Sequence, residues 1–420
     1  MPRGNRNSRG RSARRICSPT DRVGEVRVER GGWSRRRLLR RGAGLVATSV
    51  FGPIARGVAP ALADVPFSSA TPSGAAADAL SPERAADLHT AGLLREIIDR
   101  RALVADPGVP NLPWLWAHVI LALGPDVRRG GKPILDEMVA DSLEIVTLDG
   151  KSYPRFTPAL ERHPFHFLQI LQATDVPYDR RFVTPRGNYT RREIVAGSEA
   201  VYEPARAGDD EASWAICVLT NEFQPDHDRF KTAGGAEIDV ADLVEAHLRD
   251  TEAVYAPIFA SMDQGKGYGR GPVHGKACNG AHLIYGLIDA LRHGYRGGSL
   301  PERFERLLRA TIFRLQLEQK LVDASLRGDD PMVRLNADAI KLSFLGHLIE
   351  DIGYGVKCGV VKLGTDDQRA VARARVQLGE VVGRLAGEHD LDRLRAEVPG
   401  AYSVLLGDAC HALRGIRYWT

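Results

Sequence analysis

The chain is poor in the features that announce a reaction. It has five cysteines and four methionines in 420 residues, and aromatic residues make up 7%. No two cysteines form a Cys-x-x-Cys pair, which leaves a zinc ribbon or a thioredoxin-like redox site without its ligands. Gly267-Tyr-Gly-Arg-Gly271 and Gly353-Tyr-Gly355 do not follow a strand pattern, so neither meets the context of a phosphate-cradling loop. Ser343 and His347 stand one helical turn apart, but no Gly-x-Ser-x-Gly elbow surrounds the serine, which argues against a nucleophile. No apolar run reaches the roughly 20 residues needed to cross a bilayer as a helix. No motif for reading DNA or RNA is present.

What is present first is a leader. Ser34-Arg35-Arg36-Arg37-Leu38-Leu39-Arg40 resembles the twin-arginine export signal, Ser-Arg-Arg-x-Phe-Leu-Lys, with Leu38 for Phe and Arg40 for Lys. A weakly apolar stretch, Gly42–Val58, follows, interrupted by Pro53, Arg56 and four glycines. Ala61-Leu62-Ala63 then has the small-x-small form of a signal-peptidase site. The resemblance implies a signal peptide over 1–63, handling by the twin-arginine translocase, and a periplasmic or secreted protein beginning at Asp64. Cargo of this route crosses already folded, often after acquiring a cofactor inside the cell.

The leader also carries the basic charge. Of 57 Lys+Arg and 53 Asp+Glu, residues 1–63 hold 15 arginines and three acids. The remainder has 42 basic and 50 acidic side chains, net −8, with no bulk attraction to nucleic acid or an anionic membrane. Residues 64–80, rich in Ser, Ala and Pro, read as a flexible linker. The remaining 81–420 contain only short turn clusters and are expected to form one domain. Cys217, Cys278, Cys358 and Cys410 allow two disulfides in an exported chain, although Cys217 within Trp214–Leu219 has the setting of a buried thiol.

Apolar spacing predicts an all-α fold. Helices are expected at Ser81–Ala105, Trp114–Leu123, Thr157–Thr174, Thr190–Tyr202, Asp209–Phe223, Asp239–Met262, Val273–Tyr295, Pro301–Leu326, Met332–Ile352, Asp366–Ala386 and Ala401–Arg414. One hairpin is expected near 144–153, where Glu144–Leu148 runs into Asp149-Gly150. An internal repeat organises the helices. Gly187-Asn-Tyr-Thr190 and Gly235-Ala-Glu-Ile-Asp239 each place a capping Thr or Asp ahead of aliphatics four and five residues later. Their helices end near Tyr202-Glu-Pro204 and Tyr255-Ala-Pro257. Gly150-Lys-Ser-Tyr153 before Thr157 is a weaker third copy. Each repeat supplies an outer helix and then an inner one, and such hairpins bury their faces only by closing on neighbours.

This succession contains a His163-Pro-Phe-His166 helix, two Gly–cap helices and a Glu211-x-x-Trp214 helix, ending in Cys278-Asn-Gly280-Ala-His282. It resembles exported bacterial proteins related to the α/α toroid of terpenoid cyclases and prenyltransferases. The resemblance covers roughly Tyr153–Tyr295 and implies a ring of helical hairpins. It does not carry cyclase chemistry, because no Asp-Asp-x-x-Asp or Asp-x-Asp-Asp motif is present. The ring centre is expected to be lined by His163, His166, Glu211, Trp214, His274, Cys278, His282 and His347.

Imidazole and carboxylate side chains at such a centre suit acid–base work, which nominates His166, Glu211 and His282 as catalytic. His274, Cys278 and His282 recur every four residues and are candidate zinc ligands. On one straight helix the outer two stand about 12 Å apart, so one ion cannot take all three. The alternatives are a metal-free active site, or a core thiol with hydrogen-bonded histidines. The expected activity is that of a hydrolase or lyase on a periplasmic or cell-surface substrate. The other reading is a non-catalytic toroid that binds a small-molecule or cell-surface ligand or partner.

Overall fold

The computed structural model describes residues 81–103, 113–159, 163–203, 209–269 and 271–420. The export signal and the linker lie outside them. Thirteen helices are described: α1 (Pro82–Arg101), α2 (Pro113–Leu123), α3 (Ile134–Ser142), α4 (Pro164–Ala173), α5 (Arg191–Ala200), α6 (Asp209–Glu222), α7 (Val240–Asp263), α8 (His282–Arg292), α9 (Leu300–Ser325), α10 (Pro331–Lys357), α11 (Thr365–Gly387), α12 (Leu391–Glu397) and α13 (Pro399–Arg417). The fold is therefore mainly all-α. No helix among the described residues is long and apolar enough to cross a membrane.

Four antiparallel hairpins punctuate the helices: β1–β2 (Arg128–Arg129, Lys132–Pro133), β3–β4 (Leu143–Leu148, Lys151–Phe156), β5–β6 (Arg181–Thr184, Gly187–Thr190) and β7–β8 (Arg229–Lys231, Glu237–Asp239). The expected hairpin is β3–β4, paired from Leu143↔Phe156 to Leu148↔Lys151. Asp149 and Gly150 both take positive φ there, 50° and 75°, which matches the right-handed twist of the strands. The other hairpins correct the sequence expectation. The Gly–cap signatures are the second arms of β5–β6 and β7–β8. Thr190 closes a reciprocal capping box with Glu193, and the Asp239 side chain accepts from the Asp242 N–H at 3.0 Å.

Contacts between helices run round a closed circuit: α2 on α4, α4 on α6, α6 on α8, α8 on α10, α10 on α13, and α13 back on α2. The remaining long helices pack outside these. α1 lies against α11 and α13, α5 against β4 and α4, and α7 against α6, α8 and α9. One apolar core is continuous from Leu94 to Ile416.

Glycines set how closely the inner helices approach. A Cβ at Gly286 of α8 would lie 2.6 Å from the Ser213 carbonyl oxygen of α6. One at Gly415 of α13 would lie 2.9 Å from the Glu350 nitrogen of α10, and one at Gly346 would lie 3.0 Å from the Ala412 Cβ. Ser213 uses the space beside Gly286: its hydroxyl donates to the His282 carbonyl and accepts the Gly286 N–H at 3.0 Å. Gly286→Ala must push α6 from α8 against backbone atoms. It is expected to destabilise the protein by about 1–3 kcal/mol, seen as a lower urea midpoint with unchanged helix content. An unchanged midpoint would show that this contact is loose.

Candidate functional site

Each helix of the inner circuit places one ring at its centre. These are His118 (α2), His166 (α4), Trp214 (α6), His282 (α8), His347 (α10) and His411 (α13). Ring-centroid distances around the set are 5.2, 4.6, 4.7, 5.2, 3.9 and 4.8 Å, returning from His411 to His118. His282 and His411 also face each other at 5.7 Å. The shortest step, His347 to His411, falls where glycines draw α10 and α13 together.

Hydrogen bonds fix the tautomers. His347 Nδ1 faces the Ser343 carbonyl at 2.7 Å, and His411 Nδ1 faces the Glu350 carboxylate. Each Nδ1 therefore carries the proton, and each Nε2 presents its lone pair. The Nε2 atoms of His282, His347 and His411 are buried with no hydrogen-bond partner. An unsatisfied buried polar atom costs about 1–3 kcal/mol, so three beside one another need an explanation. Ser343 meets His347 through its backbone carbonyl.

Burial keeps these imidazoles neutral. His282 and His411 are held well below the ordinary histidine range by burial and then by neighbouring imidazoles, and burial lowers His347 to about 4. The exposures, 7%, 1% and 3% for His282, His347 and His411, leave little water to stabilise an imidazolium. Burial also raises the Glu350 carboxyl, opposed by Arg414, whose Nη1 donates to Glu350 Oε1 at 2.8 Å and to the Tyr285 hydroxyl at 2.5 Å. Arg414 stays charged in this setting, so it and Glu350 form a buried pair that backs His411.

Cys278 joins the set from a turn. The expected continuous helix over Val273–Tyr295 is not formed. Pro272–Gly275 and Ala277–Gly280 are separate 3₁₀ turns, and α8 begins at His282. The extended Lys276 (φ −87°, ψ 160°) and the positive φ of Gly280 (72°) interrupt the helix that the apolar spacing suggested. Cys278 and Asn279 both take left-handed conformations, φ 46° and 54°, which cost of order 1–3 kcal/mol each. The result brings the Cys278 thiol, His282 and His347 together, with one ligand atom from each all within 4.8 Å of one another. Cys278 is partly exposed and both histidines are buried, so the cluster meets solvent at its sulfur edge.

The other nominated residues fall as follows. His166 stacks on Trp214 and belongs to the cluster, as do Cys278 and His282. Glu211 is on α6 and its side chain reaches the start of α4, where its Oε1 accepts the Phe165 N–H at 3.3 Å. His163 is the N-cap residue of the same helix, which starts at Pro164 rather than at Thr157. His274 is not brought to the cluster. Its Nε2 faces Glu318 at 3.2 Å, and its Nδ1 accepts the Gly271 N–H at 3.0 Å. His118, His411, Glu350 and Arg414 were not among the candidates. Their signal is a lone polar residue in an otherwise apolar helix, as in Ala117-His118-Val119 and Cys410-His411-Ala412. No disulfide joins any of the four described cysteines.

Outside the cluster, Arg314 and Glu318 of α9 form a buried pair at 2.8 Å. Burial raises the Glu318 carboxyl, but Arg314 and His274 outweigh it and bring it down from 4.5 to about 2. A depressed carboxylate contributes stability above its unfolded value and loses it as pH falls through the folded one. The stability deficit of Glu318→Gln relative to wild type is therefore expected to be largest above pH 4.5 and to narrow toward about pH 2. Urea midpoints measured across that window check this, and a deficit independent of pH would contradict it. Comparison with known proteins finds no family model, no curated protein and no solved structure that matches this chain.

Proposed function

We propose that the chain is an exported enzyme built on an α/α toroid, with a metal centre on the toroid axis. Cys278, His282 and His347 hold the ion, which belongs to the zinc class. The observation that carries this reading is the trio of buried Nε2 atoms without a donor on His282, His347 and His411, together with one ligand atom each from His282, His347 and Cys278 within 4.8 Å of one another. A metal ion is a partner that bare imidazole lone pairs and a neighbouring thiolate can share. Two ligands on a tetrahedral zinc stand about 3.4–3.8 Å apart, so small side-chain rotations close the set.

The surroundings suit such a centre. A ligating histidine ordinarily gives its other N–H to a carbonyl or carboxylate, which fixes the ring and strengthens the donor nitrogen. The Ser343 carbonyl does this for His347. The toroid reading rests on the closed circuit of inner helices and on the single ring that each contributes. The export reading rests on Arg35-Arg36 and Ala61-Leu62-Ala63, and a metal centre loaded before translocation fits a route that carries folded cargo.

Three protein ligands leave one coordination position, and the sulfur edge is where solvent reaches it. The ion would polarise water or a substrate oxygen there, and lower the pKa of bound water. His411 is the base: its Nε2 is bare, its ring is neutral, and Glu350 behind Nδ1 stabilises the imidazolium that forms. Arg414 opposes the burial that raises the Glu350 carboxyl. This chemistry is that of a hydrolase or lyase, acting on a substrate outside the cytoplasm.

The test is elemental analysis of mature protein recovered from outside the cytoplasm. Wild type is expected to start at Asp64 and to carry about one zinc-class ion per chain. His282→Ala and His347→Ala are expected to lose it, with affinity down at least ~100-fold, while His411→Ala keeps it. Removing the ion by chelation should lower the melting temperature of wild type but not of His347→Ala. Protein confined to the cytoplasm overturns the export reading. Metal-free wild type overturns the centre.

A further inference from the structure

Cys278 and Asn279 are the one place among the described residues where two successive non-glycine residues take positive φ, and Gly280 makes a third left-handed residue in the same turn. Such a turn persists only if something outside it holds it. That holder is visible. Arg314 of α9 is fully buried and spends its guanidinium on three partners: Nη2 donates to the Asn279 carbonyl at 2.7 Å, Nη1 to the Tyr255 hydroxyl at 2.9 Å, and Nε to Glu318 Oε1 at 2.8 Å.

Glu318 ties down the rest of the loop. Its Oε1 accepts from the Tyr268 hydroxyl at 2.8 Å, and its Oε2 takes the His274 Nε2–H at 3.2 Å. Since His274 Nδ1 accepts the Gly271 N–H, that tautomer follows from the geometry. One ion pair thus fastens Tyr268, His274 and Asn279, and Cys278, directly before the last of these, comes together with His282 and His347.

We infer that the Arg314–Glu318 pair is a positioning device that puts the Cys278 sulfur into the coordination shell of the axial ion. It thereby sets the preference of the centre for thiophilic d¹⁰ cations, Zn²⁺ and Cd²⁺, over cations that favour oxygen. This rests on the metal-centre reading and adds to it a residue pair that touches no ligand side chain. Arg314 supports the carbonyl of the residue after Cys278, and the backbone there decides where the sulfur points.

The test uses mature protein loaded with Co²⁺, whose absorption reports thiolate and imidazole ligation separately. Wild type is expected to show visible d–d bands together with a near-ultraviolet thiolate-to-cobalt charge-transfer band. Replacing the pair by apolar groups, Arg314→Met with Glu318→Leu, avoids stranding a buried charge. This variant is expected to stay helical, to keep d–d bands from the histidines, and to lose most of the charge-transfer band. Its Cd²⁺ affinity should fall about 10–100-fold, the usual effect of losing a group that orients a ligand. Adding Asn279→Gly, which takes the left-handed turn without a side-chain penalty, should restore much of the band.

Should the double variant fail to fold, His274→Gln unties only the loop side and leaves the ion pair in place, and the band should still weaken. A folded double variant with the wild-type band and Cd²⁺ affinity overturns the inference. So does wild type that binds cobalt without any thiolate band. Wild type that binds no cobalt at all overturns the metal centre instead.

Discussion

The constraint on which the rest depends is that six helices share one centre, each giving it one ring. Because the rings touch round a closed circuit, helix packing and site geometry are the same problem. Moving any inner helix outward by an ångström opens the ring set. The molecule meets this demand with backbone-close contacts: Gly286 on Ser213, Gly346 on Ala412, and Gly415 on the Glu350 backbone. These contacts have no side-chain slack. Protein interiors pack as densely as organic crystals, so displacement at one contact is transmitted rather than absorbed.

The second consequence is electrostatic. Placing polar rings at the centre of an apolar core removes water, and burial holds the histidines neutral. Burial raises the Glu350 carboxyl as well, opposed by Arg414, which faces it at 2.8 Å. The site therefore combines neutral donors on one side with a buried ion pair on the other. Neutral imidazole is the form that binds a cation or accepts a proton. On the far side of Cys278 the same device recurs, with Arg314 and Glu318 holding the turn. Two Arg–Glu pairs thus bracket one cluster, one behind a histidine and one behind the thiol.

Much of the frame was legible in the sequence because helices of this length carry strong periodicity. The boundaries of α1, α6, α7, α9 and α11 fall within a few residues of expectation. The repeat pointed to His166, Trp214 and His282 together, and their rings are in contact. What was hidden has physical reasons. The arms of β5–β6 and β7–β8 are three or four residues long, too short to show alternation, and the cap residues that follow masked them. α3 and α12 are short, at nine and seven residues. The break at Gly271–Gly280 was obscured because His274, Cys278 and His282 keep a four-residue spacing across it by coincidence of composition. His118 and His411 gave no pattern of their own. A lone histidine in an apolar helix gains meaning only when five other helices bring their rings to meet it.

The central claim is that buried imidazoles and a thiol on the axis of the helical circuit hold one metal ion. X-ray absorption at the metal edge of the loaded mature protein tests it most directly. The account predicts one sulfur at about 2.3 Å and two imidazole nitrogens at about 2.0–2.1 Å, with the outer-shell scattering of histidine rings. A shell of oxygen and nitrogen alone, without sulfur and without ring scattering, would contradict it.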